Sequence, residues 1–235
     1  LLDGAVVNAD GTEGGGQVLI GGAQQGLGPE PNASDVYVDI NATVGASSTV
    51  DGDGGEIIVF AAETARVHGD LTATGGPEGG DGGFIETSAS LLSVTSTPNA
   101  GSTHGAPGEW LIDPDLIVVS GNSTSEVVVS TGTFPTYETD SFAIAPTIGD
   151  QVIEDAVNVN GTSVRVLAVA GSGSASPGTG GTTSAIFIDT QLDFNATVPG
   201  LTVFFESQDG DIFVNQPIIN TGTQALNYQF DASTV

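Results

Sequence analysis

Acidic residues stand two positions apart in several glycine-rich stretches, a spacing at which two carboxylates can share one cation. The clearest cases are Asp51 with Asp53 and Asp209 with Asp211. Carboxylate oxygens are hard ligands that suit Ca²⁺, which makes these four the calcium candidates of the chain. Against this, no EF-hand loop is present and no tandem calcium-binding repeat is sustained. The alternative interpretation is turn formation by Asp beside Gly, which requires no cofactor.

Paired carboxylates also suggest glycoside hydrolysis as a function, because sugar-cleaving enzymes use two acidic residues. The basic and imidazole groups that could assist such chemistry are limited to Arg66, Arg165, His68 and His104. Neither histidine has a Ser, Cys or acid at a spacing diagnostic of a catalytic arrangement. The sequence therefore predicts a protein that is not an enzyme and has no catalytic residues, and a polysaccharide-acting enzyme remains as an alternative.

Phe187 and Phe213 form a candidate stacking or docking face. Each lies between two aliphatic residues in a strand-like run, so that if those neighbours point inward both rings point outward. Two such rings on adjacent strands would stack, and the pair would serve as a sugar platform or as a surface for docking another subunit. The alternative is that a loop or a neighbouring segment covers them.

Five Asn-X-Ser/Thr sequons give candidates for glycan attachment. Ser and Thr are abundant in this chain, so that some sequons arise by chance, and Asn is also common in turns. The five asparagines are Asn32, Asn41, Asn122, Asn160 and Asn195.

Charge is the strongest compositional feature of the chain. Its 29 acidic residues face two arginines and no lysine, which gives a net charge of −27. Nucleic acids and anionic membranes require a cationic surface, so both are excluded as partners. No apolar run approaches the length of a membrane span, so no membrane insertion is predicted. The absence of cysteine excludes disulfides and thiolate metal sites.

Short apolar runs alternate with clusters of Gly, Pro, Ser and Asn along the whole chain. Each run has the length of a strand, each break has turn residues, and a Gly-Gly or Pro-Gly pair precedes several runs. Gly82-Gly83 before Phe84-Ile85 and Pro107-Gly108 before Glu109-Trp110 are examples. The pattern predicts an all-β protein in which Trp110 and Ile112 belong to the core.

The last strands repeat. Ile186 to Asp189 resembles Ile212 to Asn215, and Leu201 to Phe205 resembles Leu226 to Phe230, at nearly the same spacing. Repeats of 20–50 residues indicate a solenoid, a propeller or an array. Asn-Gly and Asp-Gly lie mostly in longer glycine-rich loops rather than in tight hairpins, which disfavours antiparallel sandwiches. The fold predicted is a parallel β-helix, or β-solenoid, in which equivalent residues stack about 4.8 Å apart.

We interpret residues 1–235 as a single domain with three irregular segments. The strand pattern loosens over 120–150, which predicts a loop insertion. The spacing of Val152, Ile153, Ala156 and Val157 predicts a short helix near 151–157, with Asp150 as its cap. Residues 171–183 have the composition of a flexible loop. Because Leu1 rather than Met begins the chain, we expect a fragment or a processed piece of a longer protein.

Several motifs resemble the filamentous-haemagglutinin-type exoproteins of bacterial two-partner secretion, especially the large glycine-rich versions of cyanobacteria. The residues that carry the resemblance are Gly82 to Ser88, Trp110 to Pro114, Ile153 to Val169 and Asp211-Ile212. It implies a right-handed β-helical fibre that an outer-membrane transporter exports to the cell surface or the medium. The secretion domain of the family is missing, which implies a downstream segment, and the family carries more basic residues.

These observations predict a secreted, extracellular or cell-surface protein that acts as a structural and adhesive β-solenoid fibre. Its expected partners are other copies of itself or neighbouring solenoid segments, surface glycans, and the transporter during export. One alternative is a self-assembling filament subunit that stacks end to end through exposed strand edges. The second alternative is the polysaccharide-acting enzyme named above.

Overall fold

The structure, a computed structural model, describes residues 1–121, 147–169, 184–208 and 210–233. The predicted insertion over 120–150 and the predicted flexible loop over 171–183 fall almost wholly outside these ranges, as do Asn122 and Asp209. The described chain contains a 3-10 turn at Gln24–Gly26 and the helix α1 at Asp150–Asn158. Its strands are β1 Val6–Asn8, β2 Gln17–Ile20, β3 Asp35–Val38, β4 Thr43–Gly45, β5 Glu56–Phe60, β6 Thr64–Val67, β7 Asp70–Thr72, β8 Phe84–Ala89, β9 Leu91–Val94, β10 Glu109–Pro114, β11 Leu116–Ser120, β12 Thr147–Gly149, β13 Ser163–Val169, β14 Ala185–Ile188, β15 Leu192–Phe194, β16 Thr202–Gln208, β17 Asp211–Val214, β18 Ile218–Asn220 and β19 Asn227–Ser233.

A seven-stranded sheet runs through nearly the whole described chain. Its strands lie in the order β2-β5-β8-β10-β13-β16-β19, so each later strand adds beside the one before it. The other sheets have the orders β12-β11-β14-β17, β1-β4-β7, β3-β6-β9 and β15-β18. All strand pairs among the described residues are parallel, which fits a chain whose strands are joined by long connections rather than hairpins.

The prediction of a right-handed parallel β-helix is wrong. The strands of the described residues belong to five separate parallel sheets of seven, four, three, three and two strands, not to a single solenoid. The three-stranded sheets end at β7 and β9. Beyond β7 a single parallel bridge joins Thr72 to Asn99, and the described chain adds no further strand to either sheet. Between β12 and β13 a helix replaces a strand altogether.

The predicted pairing of the final repeats is confirmed strand by strand. Ile186 pairs with Ile212 and Phe187 with Phe213 between β14 and β17. Phe205 pairs with Phe230 between β16 and β19. Like residues therefore lie on like residues across neighbouring strands, as the spacing of the repeat indicated.

Glycine pairs precede the strands because the turns lie very close to one another. A Cβ atom on Gly54 would meet the carbonyl oxygen of Ala73, and one on Gly82 would meet the carbonyl oxygen of Ala100. Both obstacles are backbone atoms, which cannot move aside as a flexible side chain would. The glycines are thus a packing requirement of the turns.

The helix α1 confirms the predicted helix near 151–157. Its buried face contains Ile153, Ala156 and Val157, as the spacing indicated. Asp150 is the first helical residue and not the cap, since the cap position is Gly149 and no side chain caps it. None of the helices in the described ranges is both long enough and apolar enough to span a membrane.

One continuous apolar core lies inside these sheets. Inward-facing positions of the seven-stranded sheet supply its largest side chains, among them Trp110 and Phe205, which have no exposed surface. Trp110 donates its indole N–H to the Thr87 hydroxyl on the adjacent strand at 3.1 Å. The prediction that Trp110 and Ile112 lie in the core is confirmed.

Candidate functional site

The acidic turn residues use their carboxylates to join one turn to the next. The Asp81 N–H donates to the Asp53 carboxylate at 2.7 Å, and the Ala106 N–H donates to the Asp81 carboxylate at 2.7 Å. Asp51 is exposed in the same turn, and Asp211 is exposed in β17. Within the described ranges no three acidic or imidazole groups come together to hold a metal ion. The observed contacts are those of turn formation.

The described sequon asparagines differ in how far their amides are engaged. Asn32 is exposed and donates to the Gly26 carbonyl at 3.0 Å, and Asn41 is exposed and donates to the Asp3 carboxylate at 2.7 Å. Asn195 is exposed on the loop after β15. Asn160 is half-buried and donates to the carbonyls of both Thr97 and Pro98. Among the described sequon asparagines it is therefore the least accessible to glycan attachment. Glycan attachment at these positions stays a prediction.

Phe187 and Phe213 stack on each other as predicted. Their ring centroids are 4.7 Å apart with an interplanar angle of 7°. Phe187 is half-buried and Phe213 is 41% exposed, so the pair forms part of the surface of the four-stranded sheet. Its role as a docking face stays a prediction.

A strap formed by residues 21–33 lies over the outer face of the seven-stranded sheet, the face that points away from the core. The Ala33 N–H donates to the Gly21 carbonyl at 2.6 Å, which brings the two ends of the strap together. Cβ atoms on Gly22 and Gly26 would meet the ring of Phe60 on β5. Gln25 adopts a left-handed φ of 51°, the only positive φ of a non-glycine residue in the described chain. The strap thereby places a polar residue directly on the sheet.

Gln25 bridges two carboxylates on neighbouring strands. Its backbone N–H donates to the Glu86 Oε1 at 2.8 Å, and its side-chain amide donates to the Asp113 Oδ2 at 3.2 Å. Glu86 has no exposed surface. Glu86 and Asp113 thus form a carboxylate pair beneath the strap, and the strap supplies its donors.

Burial raises the pKa of both members of the carboxylate pair. Desolvation raises the pKa of Glu86 to about 7, the Gln25 N–H and the Ser88 hydroxyl oppose this, and Asp113 and Glu56 add to it. Desolvation also raises the pKa of Asp113 to about 6, against the Gln25 amide and Arg165. The folded state therefore favours the protonated form of Glu86 well above the ordinary pKa of a glutamate.

Arg165 lies beside the carboxylate pair on the same face of the sheet. Its guanidinium lies 2.5 Å from the Glu206 carboxylate and 5.3 Å from the ring centre of Phe204. An arginine held by a carboxylate and an aromatic ring loses little mobility on further binding. The Arg165 side chain is half-buried, so these contacts fix its position on the sheet while part of it remains at the surface.

Shifted carboxylate pKa values often mark catalytic sites, but the geometry here is that of a structural pair. Glu86 has no surface from which a substrate could be reached, and the strap occupies one of its oxygens. His68 bonds to Thr95 and His104 to Thr103, both away from the pair. The absence of enzymatic activity stays a prediction.

Sequence reasoning missed Glu86 and Gln25. Glu86 follows the core residue Ile85 and therefore lies on the opposite face of β8, yet it is fully buried. Its burial depends on a residue 61 positions earlier in the chain, within a loop that has no periodic pattern. No local sequence pattern predicts this contact, which the structure forms with Gln25 in a left-handed conformation.

An open groove of about 960 Å³ runs across the strand starts of the seven-stranded sheet. Glycine pairs at the ends of the turns line one part of it, and the carboxylates of Glu56 and Glu109 and the rings of Phe84 and Phe204 line another. Arg165 also lines it, so the groove lies beside the carboxylate pair. No protein-family model matches the chain, and a comparison with curated proteins finds no match.

Proposed function

We propose that the chain is a structural and adhesive element of a bacterial cell surface. The observation that carries the proposal is the order of the seven-stranded sheet, in which every strand adds beside its predecessor. A sheet built in this way lengthens with the chain and presents its outward side chains in rows. Such rows offer several equivalent contacts at once, which suits weak multivalent adhesion.

The charge of the chain supports an extracellular role for this scaffold. A net charge of −27 keeps separate molecules apart and solvated, while cations of the medium screen the repulsion within each molecule. The resemblance to two-partner-secretion exoproteins, carried by Gly82 to Ser88 and Trp110 to Pro114, fits export through an outer-membrane transporter. In this proposal the transporter and the surface glycans are the partners.

Binding to surface glycans tests the proposal. The purified chain is expected to bind a subset of an array of surface glycans, both in Ca²⁺ and in a chelator, because the described carboxylates form no metal site. An unrelated protein of similar size and negative charge serves as the control. The absence of binding to the array in both conditions, or binding equal to that of the control protein, would contradict an adhesive role.

A second candidate is a self-assembling filament subunit, which the exposed side of β19 favours. Tyr228 and Phe230 lie in register with the buried Val203 and Phe205, yet they are 37% and 47% exposed. Apolar side chains aligned with a core and an unpaired strand edge form a template for another strand. A second copy of the chain would cover both.

Sedimentation of the isolated chain tests this second candidate. Because the molecules repel one another, assembly is expected only when salt or divalent cations screen the charge. The variant with Tyr228→Ser and Phe230→Ser is expected to stay monomeric under the same conditions, and exposed Leu27→Ser, on the strap, is the matched control. Monodisperse monomers of the unaltered chain at all salt concentrations would reject the filament.

A further inference from the structure

The groove across the seven-stranded sheet has the shape of a site for a linear polymer. It touches successive strands from β2 to β16, since its lining includes Gln17 at one end and Thr202 and Phe204 at the other. Neighbouring strands are about 4.8 Å apart, so five spacings give a length of about 24 Å. A site that is long, open and shallow fits several units of a chain molecule better than one compact ligand.

Most of the backbone along the groove offers nothing to a peptide strand. From β5 to β16 the groove crosses strands that pair with neighbours on both sides, and only β2, at its end, lies at the edge of the sheet. Peptides that add to a sheet need a free edge for main-chain hydrogen bonds. A ligand here must therefore bring its own donors to side-chain acceptors.

The side chains of the groove include two carboxylate acceptors and two aromatic rings, besides Gln17 and Arg165, and Glu206 already pairs with Arg165. Glu56 and Glu109 project from the starts of β5 and β10, with Phe84 between them on β8. Phe204 lies farther along, beneath the Arg165 guanidinium. Carboxylates accept from hydroxyl and ammonium groups, and aromatic rings pack against the C–H faces of sugars. Anionic polymers are excluded by the charge of the chain.

We propose that this groove binds a linear polysaccharide that carries free amino groups. Its ammonium groups pair with Glu56 and Glu109, and one of its sugar faces packs on Phe84, which lies between them; the Phe204 ring is covered by Arg165. The inference deepens the adhesive function proposed above, on which it rests, by naming the site and the class of glycan. Because the attraction is largely electrostatic, the affinity falls as salt rises.

Titration calorimetry of the full chain with defined hexasaccharides tests the proposal. A glucosamine hexamer is expected to bind, a fully N-acetylated hexamer of the same length to bind at least several-fold more weakly, and a galacturonate hexamer not to bind. The variant with Glu56→Gln and Glu109→Gln is expected to lose about tenfold in affinity for the glucosamine hexamer. A matched control removes two exposed charges that lie outside the seven-stranded sheet, through Glu63→Gln and Asp70→Asn.

The outcomes separate the groove from the adhesive function. An equal loss in both double variants would show unspecific charge attraction and would overturn the proposal, as would the absence of glucosamine binding. If the groove variant still binds the glycan array and the unaltered chain does not bind the glucosamine hexamer, the groove proposal is contradicted. Adhesion would then be supported at another site. Glucosamine binding that depends on Glu56 and Glu109, without adhesion on any array of surface glycans, would support the groove and contradict the function. Unchanged thermal unfolding of both variants confirms that each is folded.

Discussion

Replacing Trp110 by alanine is expected to lower the free energy of unfolding by about 3–5 kcal/mol. The indole has no exposed surface and lies between Ile85 and Val164 of the neighbouring strands. Removing it leaves a cavity that the paired strands cannot close, because both are fixed by the ladder of the sheet. It also leaves the buried Thr87 hydroxyl without the indole donor.

Guanidinium unfolding followed by far-UV circular dichroism measures this change. Trp110→Phe separates the two contributions, since it keeps most of the packing and removes the hydrogen bond to Thr87, at a cost of about 1–2 kcal/mol. The exposed Leu27→Ala, at 83% exposure, is the control and is expected to change stability by less than about 0.5 kcal/mol. A loss below about 1 kcal/mol for Trp110→Ala would contradict the position of Trp110 in the core.

Local patterns in the sequence predicted those features that depend on neighbouring residues. The alternating run Val36-Tyr37-Val38 predicts that Val36 and Val38 share one face of a strand, and both are buried. Repetition placed Ile186 beside Ile212, and helical spacing placed Ile153 and Ala156 on a buried face. In each case the spacing of the residues in the sequence matches the spacing of their contacts in the structure, so the sequence pattern alone predicts the contacts.

The same reasoning failed where a distant segment or a turn decides the outcome. Ile40 continues the alternation of Val36 and Val38, yet it is 68% exposed because β3 ends at Val38 and the Asp39 carboxylate accepts the Asn41 N–H in a turn. The division into five sheets depends on where turns and the helix interrupt the strands, which periodicity does not encode. The carboxylate pair depends on a strap whose composition indicates only a loop.

The carboxylate pair should make the stability of the protein depend on pH, and Glu86→Gln isolates the effect. Because the pKa of Glu86 is raised from its ordinary value of 4.5 to about 7, the folded state favours its protonated form. This contribution is fully present below pH 4.5 and is lost as the pH rises through 7. Glutamine resembles the protonated acid and still accepts the Gln25 N–H. The variant is therefore expected to be more stable at pH 8 by roughly 3 kcal/mol, and unchanged at pH 4.

Chemical unfolding at pH 4, 6 and 8 measures the difference between the unaltered chain and the variant. Removing any one negative charge from so acidic a protein relieves some repulsion, so the exposed Glu63→Gln is needed as the matched control and is expected to give a small gain at pH 8. The gain from Glu86→Gln must exceed that of the control and must grow between pH 4 and pH 8. A gain equal to that of Glu63→Gln, or a loss of stability at pH 8, would show that burial under the strap does not raise the pKa of Glu86.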